Sequence, residues 1–445
     1  MATAAAPMDA QGAGAAPGLP PGPRMPRSLQ TAIWARKAQW MLEQSRARFG
    51  SMFTLRIAYE DRWVVVADPE LVKQVFTGDP RVFRAGEGNQ ILRPILGENS
   101  VLVLDEKPHL SQRKLLLPPF HGERMQGYGE KMAEIASREI ERWPTGVPYR
   151  LRPRMQAITL EIILETVFGV HGGERMGELR DALRGFLDLT TNPRMLLPVL
   201  MVGPERIRHV PAFRRRVERV DALIARELAE RRGAEDLAER DDVLSLLLGA
   251  HHEDGSPMSD AEIRDELLTL LVAGHETTAT ALAWTMERLS RHPRKLERLR
   301  DEVLAGEESY LTATIQETLR LRPVIVGVLR RLTEPVALGG YELPAGVTVV
   351  PSIHLVHRDP EIYPEPERFL PERFLDNPPG TYTWIPFGGG IRRCLGASFA
   401  QFEMRVVLRE LVRRHEVRPA RPAPERPFRR AITETPRRDA EVVLG

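Results

Sequence analysis

The stretch Leu267–Trp284, LLTLLVAGHETTATALAW, limits what this chain can fold into more than any other. Its apolar residues leave no polar face, and a helix hydrophobic all round has to be enclosed. No run in the chain approaches the ~18 apolar residues of a membrane span, so the enclosure is protein. Many neighbours are needed to cover such a helix. A chain of 445 residues, 42% hydrophobic and 28% charged, can supply them. From about Pro108 to Arg320 nearly everything fits helical spacing, broken by Pro- and Gly-rich joints such as TNPRMLLPVLMVGPERIRHVP.

Strand patterns stand near the two ends. Met52 to Ala67 reads as a β-hairpin, followed by a helix from the Asp68-Pro69 cap. VALGGYELPAGVTVVPSIHLVH is strand-like, with a Gly339-Gly340 turn. A Pro-rich segment with two PERFL copies follows, then a last helix, then AITETPRRDAEVVL, which reads as a closing hairpin. The expected fold class is mainly α with small β-sheets. Residues 1–26, Ala-, Gly- and Pro-rich without a signal-peptide pattern, read as a flexible leader, and 27–445 as one domain. With 63 basic against 61 acidic residues, no basic surface for nucleic acid is expected. One cysteine allows no internal disulfide, which points to a reducing, cytoplasmic setting.

The central helix carries Gly274, Glu276, Thr277 and Thr278, polar groups that a buried helix avoids. Threonine hydroxyls can bond back to the preceding turn; a buried glutamate is harder to dismiss. His275-Glu276 could open a zinc-protease His-Glu-x-x-His, but position 279 is Ala279, so that rival fails.

The lone cysteine, Cys394, lies in WIPFGGGIRRCLGASFA, just before a helix whose Phe399, Phe402, Val406 and Leu411 form an apolar stripe. A helix N-terminus favours thiolate. Gly388, Gly389, Gly390 and Gly396 would let backbone approach a flat ligand and direct N–H groups at sulfur. A lone cysteine is by default a small buried hydrophobe; glycines and adjacent arginines favour an anionic metal ligand beside a carboxylated cofactor.

FGGGIRRCLG matches Phe-x-x-Gly-x-Arg-x-Cys-x-Gly at Phe387, Gly390, Arg392, Cys394 and Gly396, and so resembles the cytochrome P-450 superfamily of haem-thiolate monooxygenases. The resemblance implies that Cys394 ligates the iron of a non-covalent haem b, the thiolate favouring O–O cleavage. It makes Ala273-Gly274-His275-Glu276-Thr277-Thr278 the distal motif, with Thr277 supporting dioxygen activation, Glu276 delivering protons and Ala273 facing the cofactor. It implies that His109, Arg113, Arg330 and Arg392 meet the propionates, and that Glu317 and Arg320 pair with a meander arginine, Arg373 in preference to Arg368. One departure is the short connection around Glu308.

The reaction implied is insertion of one oxygen atom from O2 into an organic substrate. With one cysteine and no flavin module, electrons must come from a ferredoxin or flavodoxin and its reductase. By resemblance the pocket draws on residues 84–100, Leu270, Ala273 and 323–329, rich in Ile, Leu and Val, with RMLLPVLMVG over the entrance. Those residues favour a fatty acid, terpenoid or polyketide-like substrate. Two alternatives stand beside this reading: a peroxide-driven peroxygenase or isomerase, and a haem-binding sensor. A monomer is expected.

Overall fold

A computed structural model describes residues 16–445 apart from 60, 121–123, 171, 191 and 376–379. Helix α1 (Arg27–Phe49) leads into strands β1 (Met52–Ile57) and β2 (Asp61–Val66), the expected hairpin, with Met52 opposite Val66 and Ile57 opposite Asp61. Helix α2 (Pro69–Thr77) starts where its cap is written: the Asp68 carboxylate accepts from the N–H groups of Glu70 and Leu71. After β3 (Phe83–Arg84) come α3 (Glu106–Leu116) and α4 (Leu151–Thr166).

Helix α5 (Asp260–Ser290) is the longest helix among the described residues. Its 31 residues rise about 46 Å at 1.5 Å each. Ser259 and Glu262 close a capping box at its start. Twenty-two of its residues are buried, most of the apolar stretch among them, and it lies along α4. Helices α6 (Pro293–Ala305) and α7 (Ser309–Leu321) follow, then β4 (Arg330–Leu332), β5 (Thr348–Pro351) and α8 (Ala397–Arg414). The larger sheet runs β1-β2-β5-β4-β3, with β2 and β5 parallel and the other pairs antiparallel. Among the described residues no helix is long and apolar enough to cross a membrane.

The Gly339-Gly340 turn joins Val336–Leu338 to Tyr341–Leu343 with both glycines at positive φ, as a two-residue hairpin demands. The short connection before α7 is a tight joint. Gly306 ends α6 in the left-handed conformation, and the Glu302 carboxylate accepts from the N–H groups of Tyr310 and Leu311. Glu308 is held by Arg405 and Arg409 of α8.

Two expectations are corrected. The closing hairpin lies further upstream: β6 (Pro427–Arg430) pairs with β7 (Thr433–Pro436), while β8 (Glu441–Leu444) pairs with Val417–Pro419 and Tyr149–Arg150. Two prolines masked β6, and positive φ at Asp439 and Ala440 turns the chain away before β8. The leader is in part bound. Ala16-Pro17 adds a parallel strand beside Tyr341-Glu342, and Thr54 donates to the carbonyls of Pro20 and Pro21. Residues 1–15 lie outside the described part.

Candidate functional site

A helix in the core should have no accessible face, yet α5 has one. Leu270 and Thr277 are half-buried and Ala273 is exposed, although the helix is enclosed on either side of them. The three positions share one helical face, so that face borders an internal space. The Thr277 hydroxyl donates to the Ala273 carbonyl at 2.5 Å, the back-bond that a threonine in any helix can make. Glu276, one position round, points elsewhere. Its carboxylate accepts from Gln156 at 2.6 Å and Arg152 at 3.2 and 3.4 Å, both on α4. Burial raises its pKa, against the pull of Arg152. Glu276 and Thr277 are therefore neighbours in sequence but not bonded to each other. His275 is buried against Thr159 at 2.9 Å, and burial pushes its pKa down to about 3.

Cys394 sits in the turn before α8, which packs against α5. Its N–H donates to the Phe387 carbonyl at 2.9 Å. Phe387 stacks edge-on against Trp384, 6.0 Å away. The thiol is accessible, yet enclosure by protein is the largest influence on it and raises its pKa. The accessible surface is thus that of an interior space. The Gly396 N–H, Arg113 and Arg393 all favour thiolate but do not overcome burial. The helix terminus alone does not ionise this cysteine, contrary to the sequence expectation.

The glycines divide by role. A Cβ on Gly390, whose φ is +65°, would lie 2.0 Å from the Phe76 carbonyl oxygen, and one on Gly389 would lie 2.3 Å from the Phe76 ring. These two admit α2 rather than a ligand. Gly396 meets nothing within 4 Å, and its N–H serves the sulfur.

The predicted cations converge. His109 is buried, and its pKa is pushed down to about 3, first by burial and then by Arg392, Arg113 and Arg330. It is a neutral ring whose Nδ1 has no partner. Arg330, only 5% exposed, donates to the carbonyl of its own neighbour Leu329 and lies over the Phe76 ring. Burial and Arg392 bring its pKa down to about 10. Arg392 donates to Val101 O, to Leu104 O and, at 2.5 Å, to Asp105. The Arg113 side chain has no hydrogen-bonding partner among the described residues and acts electrostatically with Cys394. Buried guanidinium groups without counterions are costly, so this arrangement suits an anionic ligand. An accessible thiol, a ring nitrogen awaiting a partner and under-neutralised arginines fit a dicarboxylate porphyrin, whose iron Cys394 would hold.

Glu317 and Arg320 are both fully buried, not a surface pair. Arg320 makes two bonds to Glu317, at 2.7 and 2.9 Å, and donates to the carbonyls of His357, Pro366 and Arg368. Arg373 reaches Glu317 at 3.4 Å, whereas the Arg368 side chain pairs with Glu365. Sequence reading missed Asp105, Arg152 and Gln156. Asp105 reads as an ordinary helix cap, and the other two are polar residues in an apolar helix pattern, a signal that was there to find.

The fold and this thiol site together define a haem-thiolate protein. The family model described as Cytochrome P450 matches residues 17–440, and the chain belongs to that family. It is 44% identical over 431 residues to cytochrome P450 135B1 of Mycobacterium tuberculosis, spanning 96% of this chain and 91% of the relative. It is 40% identical over 429 residues to cytochrome P450 135A1 of the same organism, spanning 96% and 95%. The cyanobacterial CYP120A1, solved with retinoic acid bound, superposes with a TM-score of 0.83 at 24% identity, covering 96% of this chain and 99% of that one. Family proteins bind haem b without covalent attachment, and the chain is a monooxygenase of that kind.

Proposed function

We propose that this protein inserts one oxygen atom from O2 into a lipophilic substrate, with electrons from a separate ferredoxin or flavodoxin and its reductase in the cytoplasm. The observation that carries this reading is a single accessible thiol before α8 with the Arg113 charge acting on it, together with the accessible stripe Leu270–Ala273–Thr277 on the core helix. When bound, haem supplies the redox chemistry and the activation of dioxygen.

The chain's own groups do the rest. Cys394 would hold the iron, its turn closed by the Phe387 carbonyl and its sulfur met by the Gly396 N–H. Arg113, Arg330 and Arg392 would meet the propionates, with His109 donating from a neutral ring. Thr277 spends its proton on Ala273 O and keeps acceptor capacity toward the space. To pass protons toward Thr277, Glu276 has to open its bonds to Arg152 and Gln156, or use water. Half-buried Leu102, Leu270, Val272, Ile325 and Val328 offer a hydrocarbon surface, which suits fatty acids, terpenoids or polyketide-like molecules.

A second reading has one observation in its favour. Thr277 bonded to its own helix and Glu276 tied to α4 are what a peroxide-driven enzyme without a relay would show. Turnover of a lipophilic panel, preselected by the haem spin-state absorbance change, separates the two. Product with NADPH and a ferredoxin pair supports the first reading. Product with peroxide only supports the second. No product by either route with spectrally normal protein overturns both.

A further inference from the structure

Asp105 stands at the position before α3 where an aspartate ordinarily accepts from its own helix's first N–H groups. It caps nothing there. Its Oδ1 accepts from the Gly86 N–H at 2.8 Å and from Arg392 at 2.5 Å, and its Oδ2 accepts from the Glu87 N–H at 2.8 Å. The next residue, Glu106, has a φ of +51°, a conformation that side chains other than glycine adopt at a cost. Gly86 has no room for a Cβ, which would lie 2.5 Å from the Val103 carbonyl oxygen and 2.7 Å from Asp105 Oδ2. An uncapped helix, a strained residue and an obligatory glycine all serve one end: aiming this carboxylate at Arg392.

The charges give that aim a purpose. Arg113, Arg330 and Arg392 all act on His109, and His109 itself is neutral. Among the described residues, Asp105 is the carboxylate that acts on both Arg330 and Arg392. Three guanidinium groups against one carboxylate leave two positive charges, the complement of a dianion. Arg392 is meanwhile anchored through Nη1 and Nη2, and its Nε is left without a partner among the described residues.

We propose that Asp105 is a positioning residue for the carboxylated cofactor, fixing the reach of Arg392 and setting the net charge of the cluster to match two propionates. This rests on the haem reading above. A structural clamp would affect stability alone; a charge-setting residue also moves the reduction potential of the holoprotein.

The experiment measures the midpoint potential, the rate of haem transfer to an apo-globin acceptor, and the urea midpoint of the apo-protein. Wild type, Asp105→Asn, Asp105→Glu and Gly86→Ala are compared. Removing the negative charge should favour the reduced state about tenfold at a fixed potential, about 59 mV for a one-electron couple. Asp105→Glu keeps the charge and should keep the potential while releasing haem faster. Gly86→Ala should lower apo stability with the potential unmoved. An Asp105→Asn potential equal to wild type in haem-replete protein overturns the proposal alone. Where the Asn variant does not hold haem, a shifted potential in Asp105→Glu overturns it instead. Wild type that takes up no haem overturns the haem reading and this proposal together.

Discussion

Replacing Arg320 with alanine probes a fully buried charge. Arg320 and Glu317 are both 0% exposed, and the guanidinium lies over the Tyr363 ring at 5.0 Å. The substitution removes both bonds to Glu317 and strips the donor from the carbonyls of His357, Pro366 and Arg368. Taking one partner from a buried pair costs about 3–5 kcal/mol. The Leu370 N–H at 2.8 Å and Arg373 at 3.4 Å still serve Glu317, which limits the loss on that side. The three carbonyls add to it, each worth about 1 kcal/mol or more. Because these terms overlap, the expected total is about 4–5 kcal/mol. Native proteins have about 5–15 kcal/mol to lose, so the variant should retain a small margin and incorporate haem poorly. Urea unfolding of the apo-protein, followed by circular dichroism and tryptophan fluorescence, reads this directly. Arg373→Ala, which removes the 3.4 Å contact to Glu317 and an exposed 3.1 Å bond to the Pro364 carbonyl, should cost about 1 kcal/mol. If Arg320→Ala costs less than about 1 kcal/mol, the reasoning is wrong and the pair is no keystone of the α7–meander junction.

Cys394→Ala should fold, because α8 is anchored by Phe399 against Phe120 and Tyr128, but should lose the red-shifted Soret band of the ferrous carbon monoxide complex. A haem-replete variant that keeps the band would refute thiolate ligation by Cys394. Thr277→Ala should leave haem content and substrate binding unchanged, since alanine has the higher helix propensity. Its loss should fall on coupling, read as more hydrogen peroxide and less product per NADPH oxidised; an unchanged ratio removes Thr277 from the reaction. His357 is buried, its Nε2 accepts from the Ile385 N–H at 2.9 Å, and burial brings its pKa down to about 3. The unfolded chain protonates this ring near pH 6.5, so unfolding takes up a proton and the stability it contributes falls as pH drops below that value. His357→Gln should therefore lose less stability on acidification than wild type, by roughly 1 kcal/mol per unit between pH 6 and 5. Parallel stability–pH curves would show that His357 is charged in the native state.

Local patterning determined a good deal by itself. The all-round apolar stretch 267–284 had to be enclosed, and it is, apart from the stripe at Leu270, Ala273 and Thr277. Asp68 before Pro69 had to start a helix, because its carboxylate reaches two orphan N–H groups nearby in sequence. The ten-residue signature around Cys394 carried the family, since few folds need those residues at that spacing. What only the tertiary structure decided were questions of which neighbour arrives from far away. Glu276 and Thr277 are adjacent in sequence, but a helix turns about 100° per residue. One therefore faces Arg152 and Gln156 of α4 and the other the interior space. The i,i+3 pair Glu317–Arg320 looks the same on a surface as in a core. Three carbonyls from residues 357–368 show that it is buried. Asp105 reads as a cap in any local scheme, and Gly389 and Gly390 read as room for a ligand. The carboxylate is instead drawn off by Gly86, Glu87 and Arg392, and the two glycines are filled by Phe76. A side chain's local options follow from its neighbours in sequence; which option it takes is set by whichever partner the fold brings within about 3 Å.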